Sequence, residues 1–244
     1  MASGRTHTQA WWLAHRMAVD QVWKTSLTEV RGLTFPQTNE IYEGRGVSGL
    51  SVDDIIVVNN VKHAWQALLA SAEDVALTWT AVLDYNRLLG EQVVDRPGFI
   101  RDHAVRITGT SYAPGPVTLE SVNQSLLSAM TTPDPEGRAL AVYRAITREQ
   151  WFNDGNKRTA ALAANHVLVN ENIGLFGVDI DLQEEFTTRL VEFYESGDHA
   201  RFDVWLKDNA VHRVPGGLTT TQERAVRQTN GERRGHNERT AFVY

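Results

Sequence analysis

Trp151-Phe152-Asn153-Asp154-Gly155-Asn156-Lys157-Arg158-Thr159-Ala160 is the one stretch whose residue types are chosen for chemistry, and it joins two helical patterns. Upstream, Arg138 to Gln150 carries Leu140, Val142, Tyr143 and Ile146 at helical spacing. Downstream, Thr159 to Val169 is rich in Ala and Leu, with Leu162, Ala163, His166 and Val167 three and four residues apart, which predicts a tightly packed helix. Between them, Asn153-Asp154-Gly155-Asn156 reads as a turn running into a helix start, with Gly155 accepting positive φ and Asn156 as the N-cap candidate.

The first amides of a helix lack intrahelical partners and carry partial positive charge, and Lys157 and Arg158 add two full charges to the same turn. Such a turn suits a phosphate. Asp154 is placed to hold Mg²⁺ against it, because that ion takes one or two carboxylates plus phosphate oxygens. The alternative is plain: Asp-Gly-Asn is also an ordinary turn, and Lys-Arg an ordinary solvated first turn.

The segment resembles the active-site loop of the Fic/Doc family, His-x-Phe-x-(Asp/Glu)-Gly-Asn-(Gly/Lys)-Arg followed by x-x-Arg. Phe152, Asp154, Gly155, Asn156 and Arg158 match in place, and Lys157 is similar to the Doc form. Two positions depart. Gln150 stands where the family has its catalytic His, and Ala161 where it has a second Arg. The resemblance implies a mainly α Fic-like helical bundle with a short β-hairpin flap beside the active loop. It also implies transfer of AMP or a phosphoryl group from ATP, with Mg, to hydroxyls of a target protein. On that reading Gln150, Arg158 and Lys157 are the catalytic positions. Gly155, Asn156, Lys157 and Arg158 bind the nucleotide and Asp154 binds the metal. Gln has no titrating group and cannot replace a His base, so a catalytically inactive module that binds a nucleotide or a protein is the alternative. A purely structural helical protein is a third.

Thr38-Asn39-Glu40-Ile41-Tyr42-Glu43-Gly44 reads as the end of a short helix stopped by Gly44. It resembles the family's inhibitory helix, (Ser/Thr)-x-x-x-Glu-(Gly/Asn), which makes Glu43 the regulatory candidate although its usual Arg partner is Ala161 here. Val105-Arg106-Ile107-Thr108-Gly109 alternates and is β-branched, so a strand turning at Gly109 is predicted. By resemblance, residues 105–112 are the flap that receives the target protein by strand addition. Gln9 to Val30 reads as one amphipathic helix. Ser51-x-x-Asp54 caps a long helix to Leu69, and Ala76 to Leu89, Thr118 to Met130, Leu182 to Tyr194 and Phe202 to Val211 are further helices. Of the eight His, His103 lies near the flap and His166 in the helix after the motif; both read as surface or packing residues. Glu149 precedes Gln150, and adjacent helical residues point about 100° apart, so it faces elsewhere.

The organisation expected is an N-terminal helical extension over 1–37, a Fic/Doc-like domain over 38–213 and a polar tail over 214–244, whose five Arg and three Glu leave a net charge of +2. At 244 residues, 42% hydrophobic, with seven Trp and eight Phe, the chain suits one domain with small appendages. A net charge of -6 argues against a nucleic-acid binder. Absence of Cys excludes disulfides, thiolate nucleophiles and Cys-based metal sites. No apolar run approaches the roughly 20 residues of a membrane span, and Met1 to Gln9 lacks a signal-peptide core, so a cytoplasmic protein is expected. An antitoxin-like or self-association partner completes the expectations.

Overall fold

Helix α8 (Asn156–Asn170) has Leu162, Ala163, Ala164, Val167, Leu168 and Val169 all buried, so this Ala- and Leu-rich segment is enclosed by its neighbours. Its small residues let other backbones approach closely. In the computed structural model, which describes residues 6–215, it sits at the middle of ten helices and one small sheet. Helix α7 (Pro135–Glu149) packs along it, and the two are joined by residues 150–155. Around this hairpin stand α1 (Gln9–Arg16), α2 (Ala18–Ser26), α4 (Val52–Ser71) and α5 (Trp79–Gly90), with α3 (Phe35–Tyr42) against α2 and α4. Helices α6 (Leu119–Met130), α9 (Gln183–Ser196) and α10 (His199–Asn209) complete the bundle. Strands β1 (Gly174–Phe176) and β2 (Val211–Arg213) pair antiparallel, Leu175 opposite His212. Among the described residues no helix is long and apolar enough to cross a membrane.

Local chemistry explains most boundaries. Ser51 and Asp54 form a reciprocal capping box at the head of α4, as their spacing predicts. Thr34 and Gln37 form another for α3, which ends at Tyr42 before Gly44 at φ +75°. Trp65, Leu68, Leu140, Ile146, Trp151, Phe152, Leu162 and Leu168 are among the largest fully buried side chains, each stabilising the fold by about 1.5–3 kcal/mol.

Three expectations are corrected. The single helix over 9–30 is two, broken at Met17 (φ -91°, ψ 8°), which lets Ala14 and Ala18 both reach the core while Trp12 stays 48% exposed. The last helix ends at Asn209, because Val211 to Arg213 pair with β1. Residues 105–109 form no strand. Residues 104–107 have no regular secondary structure and lead into a turn at 108–109, and no neighbouring strand exists among the described residues to make a ladder. An alternating sequence cannot supply that partner by itself. The tail from 216 onward lies outside the described residues.

His166 is a packing residue: Nδ1 lies 2.6 Å from the Tyr85 hydroxyl and Nε2 2.7 Å from the Val75 carbonyl. The carbonyl only accepts, so Nε2 carries the proton and Nδ1 accepts from Tyr85. Burial pulls the imidazole below its ordinary value, partly offset by the bond to Val75. The unfolded chain therefore takes up a proton near pH 6.5 that the folded chain refuses, and stability falls as pH drops below that value, by up to about 1.4 kcal/mol per pH unit. Thermal unfolding of a His166→Gln variant across that range is expected to lose this part of the acid sensitivity.

Candidate active site

Gln150 ends α7 in the left-handed region (φ 53°, ψ 67°), which turns the chain sharply. Trp151 and Phe152 then plunge into the core, both fully buried. Phe152 forms an antiparallel bridge with Ile100, and the Arg101 amide donates to the Trp151 carbonyl at 3.0 Å. The turn closes at Gly155 (φ +75°), the residue before α8. A Cβ there would lie 3.2 Å from Asn86 Nδ2 on a backbone that L residues resist.

Gly155 thus takes the capping position expected of Asn156, and no side chain caps the helix. Asn156 is instead the first helical residue and a clasp for the loop. Its Oδ1 accepts from the Phe152 amide at 2.9 Å, and its Nδ2 donates to the Phe152 carbonyl at 2.8 Å and to Gln150 Oε1 at 3.1 Å. The first amide bonded within the turn is that of Thr159, to the Gly155 carbonyl at 2.8 Å.

Arg158 is 3% exposed, and its Nη2 lies 3.4 Å from both Asp154 Oδ2 and Glu29 Oε1. Its Nε and Nη1 are buried with no hydrogen-bond partner among the described residues. Burying a charged donor without acceptors is costly, and among the described residues only Nη2 has carboxylates within reach. Lys157 is exposed on the same turn, and Asp154 is 54% exposed at its side chain. Among the described residues no three His, Cys, Asp or Glu converge on a metal. A lone, accessible Asp154 fits an Mg²⁺ that arrives on a phosphate and keeps its waters.

Gln150 is spent on the loop. Its Nε2 donates to the Thr147 carbonyl at 2.5 Å and its Oε1 accepts from Asn156. Neither His considered from the sequence joins the loop: His166 is buried beside Tyr85, and His103 is exposed against Asp102. Glu149 faces away, accepting from Ser125 at 3.0 Å and from the Trp151 indole at 2.7 Å.

Glu43 follows α3 as an exposed residue, and no hydrogen bond or ion pair joins it to the loop among the described residues. The carboxylate that reaches the site is Glu29, just past α2. Thr25-Ser26-Leu27-Thr28-Glu29 carries the hydroxyl-x-x-x-Glu spacing too, with Val30 in the Gly/Asn place; that was the available signal. Glu29 competes with any anion for Arg158. A Glu29→Ala variant is expected to bind Mg·ATP about 5-fold tighter while losing about 1 kcal/mol of stability, since Glu29 is itself open to solvent and Nη2 keeps Asp154. Calorimetric titration and denaturant unfolding read the two quantities.

Two further residues hold the site. Asn86, 3% exposed on α5, donates to the Asp154 carbonyl at 2.9 Å and to Thr159 Oγ1 at 3.1 Å, and accepts from the Gly98 amide at 2.8 Å. Its sequence signal was a polar residue on the apolar stripe of Val82 and Leu89. Arg101, also 3% exposed, donates to the carbonyls of Gln150, Glu149, His103 and Gly115, tying residues 101–115 to the end of α7. That strap is fixed at its other end by Glu195, which accepts from the Ser111 amide and hydroxyl, and by Arg148 stacked 4.2 Å over Tyr112. Only the tertiary structure reveals Arg101.

Residues 76–168, which span α5 to α8, match the model of the Fic/DOC family. Similar solved structures carry the same fold. Fic-1 from C. elegans aligns with a TM-score of 0.70 at 19% identity, over 96% of this chain and 69% of that one. A Fic family protein from Desulfovibrio desulfuricans gives 0.64 at 20%, over 78% and 61%. A Fic domain-containing signaling protein from Bacteroides thetaiotaomicron gives 0.60 at 19%, over 74% and 72%. No curated protein matches the chain by sequence. The resemblance read from Phe152 to Arg158 therefore holds, and the bundle is a Fic-type fold.

Proposed function

We propose that this chain binds ATP through its phosphates, with Mg²⁺, at the head of α8, and transfers AMP or a phosphoryl group to a protein hydroxyl at a rate limited by the missing general base. Arg158 carries the reading. A guanidinium 3% exposed, whose Nε and Nη1 have no partner among the described residues, stands in the first turn of a helix without a side-chain cap and beside an accessible Asp154. Phosphate oxygens satisfy those donors, and the amides of the first turn share the charge. Asp154 would hold Mg²⁺, which neutralises phosphate charge when bound. Lys157, exposed beside them, adds a second cation where negative charge develops during transfer. The unladdered backbone of 104–107 offers an edge on which a target segment aligns by strand addition.

A second reading, a nucleotide-binding module without turnover, is favoured by one observation: both ends of the Gln150 amide are engaged inside the loop. Incubation of the full chain with Mg²⁺, a cell lysate and ATP labelled at the α or γ position separates them. Protein labelled from the α position means AMP transfer, and from γ alone phosphoryl transfer. ATP binding without label supports the second reading, and no ATP binding refutes both.

A further inference from the structure

We infer that the cleft between α6, α7 and the turn from α9 to α10 seats an extended, acidic segment of the target protein; this rests on the transfer reading proposed above. The cleft is open and has a volume of about 670 Å³. It begins at the active loop, because Arg148 and Glu149 line it and are the last residues before Gln150. The Arg148 guanidinium also stacks 4.2 Å over Tyr112, so the same cleft meets the strap over residues 101–115.

Its shape suits a peptide in extended form. Ala141 and Ala145 of α7 and Ala129 of α6 line it with small side chains, which lets a backbone lie close. From Ala141 to Glu149 the lining runs about 12 Å along the helix axis, the length of three or four extended residues. On α6, Ser121, Ser125 and Ser128 face the cleft at three- and four-residue steps. Hydroxyls both donate and accept, so such a row meets backbone amides and carbonyls without selecting a side chain.

Selection comes from charge. Arg148 is half-buried and has no ion pair among the described residues, where its one hydrogen bond runs from Nη2 to the Tyr194 carbonyl at 3.4 Å. Its Nε is buried and has no partner there either. The other arginine of the cleft, Arg144, is already matched by Asp203 at 2.8 Å, and Asp203 lies 3.5 Å from His199 as well. Glu149 is the one carboxylate in the lining, and both its oxygens are engaged, by Ser125 at 3.0 Å and by the Trp151 indole at 2.7 Å. Arg148 is therefore the lining cation left for a ligand. An aspartate or glutamate of the target meets it as a charge-assisted pair, which separates acidic from neutral segments.

The test is fluorescence anisotropy of the full chain, without nucleotide, against two labelled pentapeptides: Ser-Glu-Glu-Ala-Ser and its twin with Gln in place of both Glu. The acidic peptide is expected to bind about 10-fold tighter than the neutral one, the value of one hydrogen-bonded charge pair. Arg148→Met keeps an aliphatic stem over Tyr112 and should bring the acidic peptide to the level of its twin. Ala145→Leu narrows the cleft from α7 and should weaken both peptides, so the result does not hang on one variant folding. Equal binding of the two peptides by the natural protein, binding of neither up to millimolar concentration, or an acidic preference that survives Arg148→Met overturns the cleft as a docking site. Because no nucleotide takes part, that outcome leaves the ATP-labelling result, and with it the transfer reading, standing.

Discussion

A Gln150→His variant is expected to label protein from ATP about 10²–10⁴-fold faster than the natural chain, the usual contribution of a positioned general base. The backbone at 150 is left-handed (φ 53°, ψ 67°), and His is among the residues that adopt that region more readily than most. Gln150 now donates to the Thr147 carbonyl and accepts from Asn156. The shorter imidazole has one nitrogen for such a contact and a second to accept the proton of an attacking hydroxyl. The variant's rate should rise with pH through the titration of an imidazole, near about 6.5 in an unperturbed setting. The natural chain should show no such step. Initial rates of label incorporation measure both. An unaccelerated variant that still binds ATP would mean that the rest of the loop is not aligned for transfer, and the non-catalytic reading would stand.

Replacing Arg158 by Leu should separate function from stability. Arg158 is buried, and two of its nitrogens lack partners among the described residues. Removing the charge relieves that cost, so unfolding free energy is expected to hold or rise by about 1–2 kcal/mol. Binding moves the opposite way. Two charge-assisted bonds to phosphate at about 1.5 kcal/mol each account for a loss on the order of 100-fold in Mg·ATP affinity. A residue kept for packing would show the reverse, with binding retained and stability reduced. Titration and denaturant unfolding of the same preparation decide between the two.

The hairpin of α7 and α8 was legible because its information is local: helical spacing on both sides, and Gly155 where the chain needs positive φ. That Asp154, Lys157 and Arg158 come together was legible for the same reason, since they lie within about one turn of each other. Asn156 was misplaced because Asn caps helices well in general, while here the left-handed Gly155 precedes it and its amide closes the loop on Phe152. The strand over 105–109 failed for want of a partner, which no single segment encodes. Glu43 and Glu29 sit in similar local patterns, and only the packing of α2 beside the head of α8 brings Glu29 to Arg158. Arg101 acts through residues far along the chain, so the folded structure alone identifies it.

Docking of nucleotide phosphates at the head of α8 is read by nuclear magnetic resonance of the isotope-labelled chain, following the amides of Asn156, Lys157 and Arg158 and the Arg158 Nε–H during addition of Mg·ATP. These signals are predicted to shift in a saturable way, the Nε–H most of all because phosphate gives it its first acceptor. Signals that stay fixed at saturating nucleotide, while others in the chain move, would contradict the account.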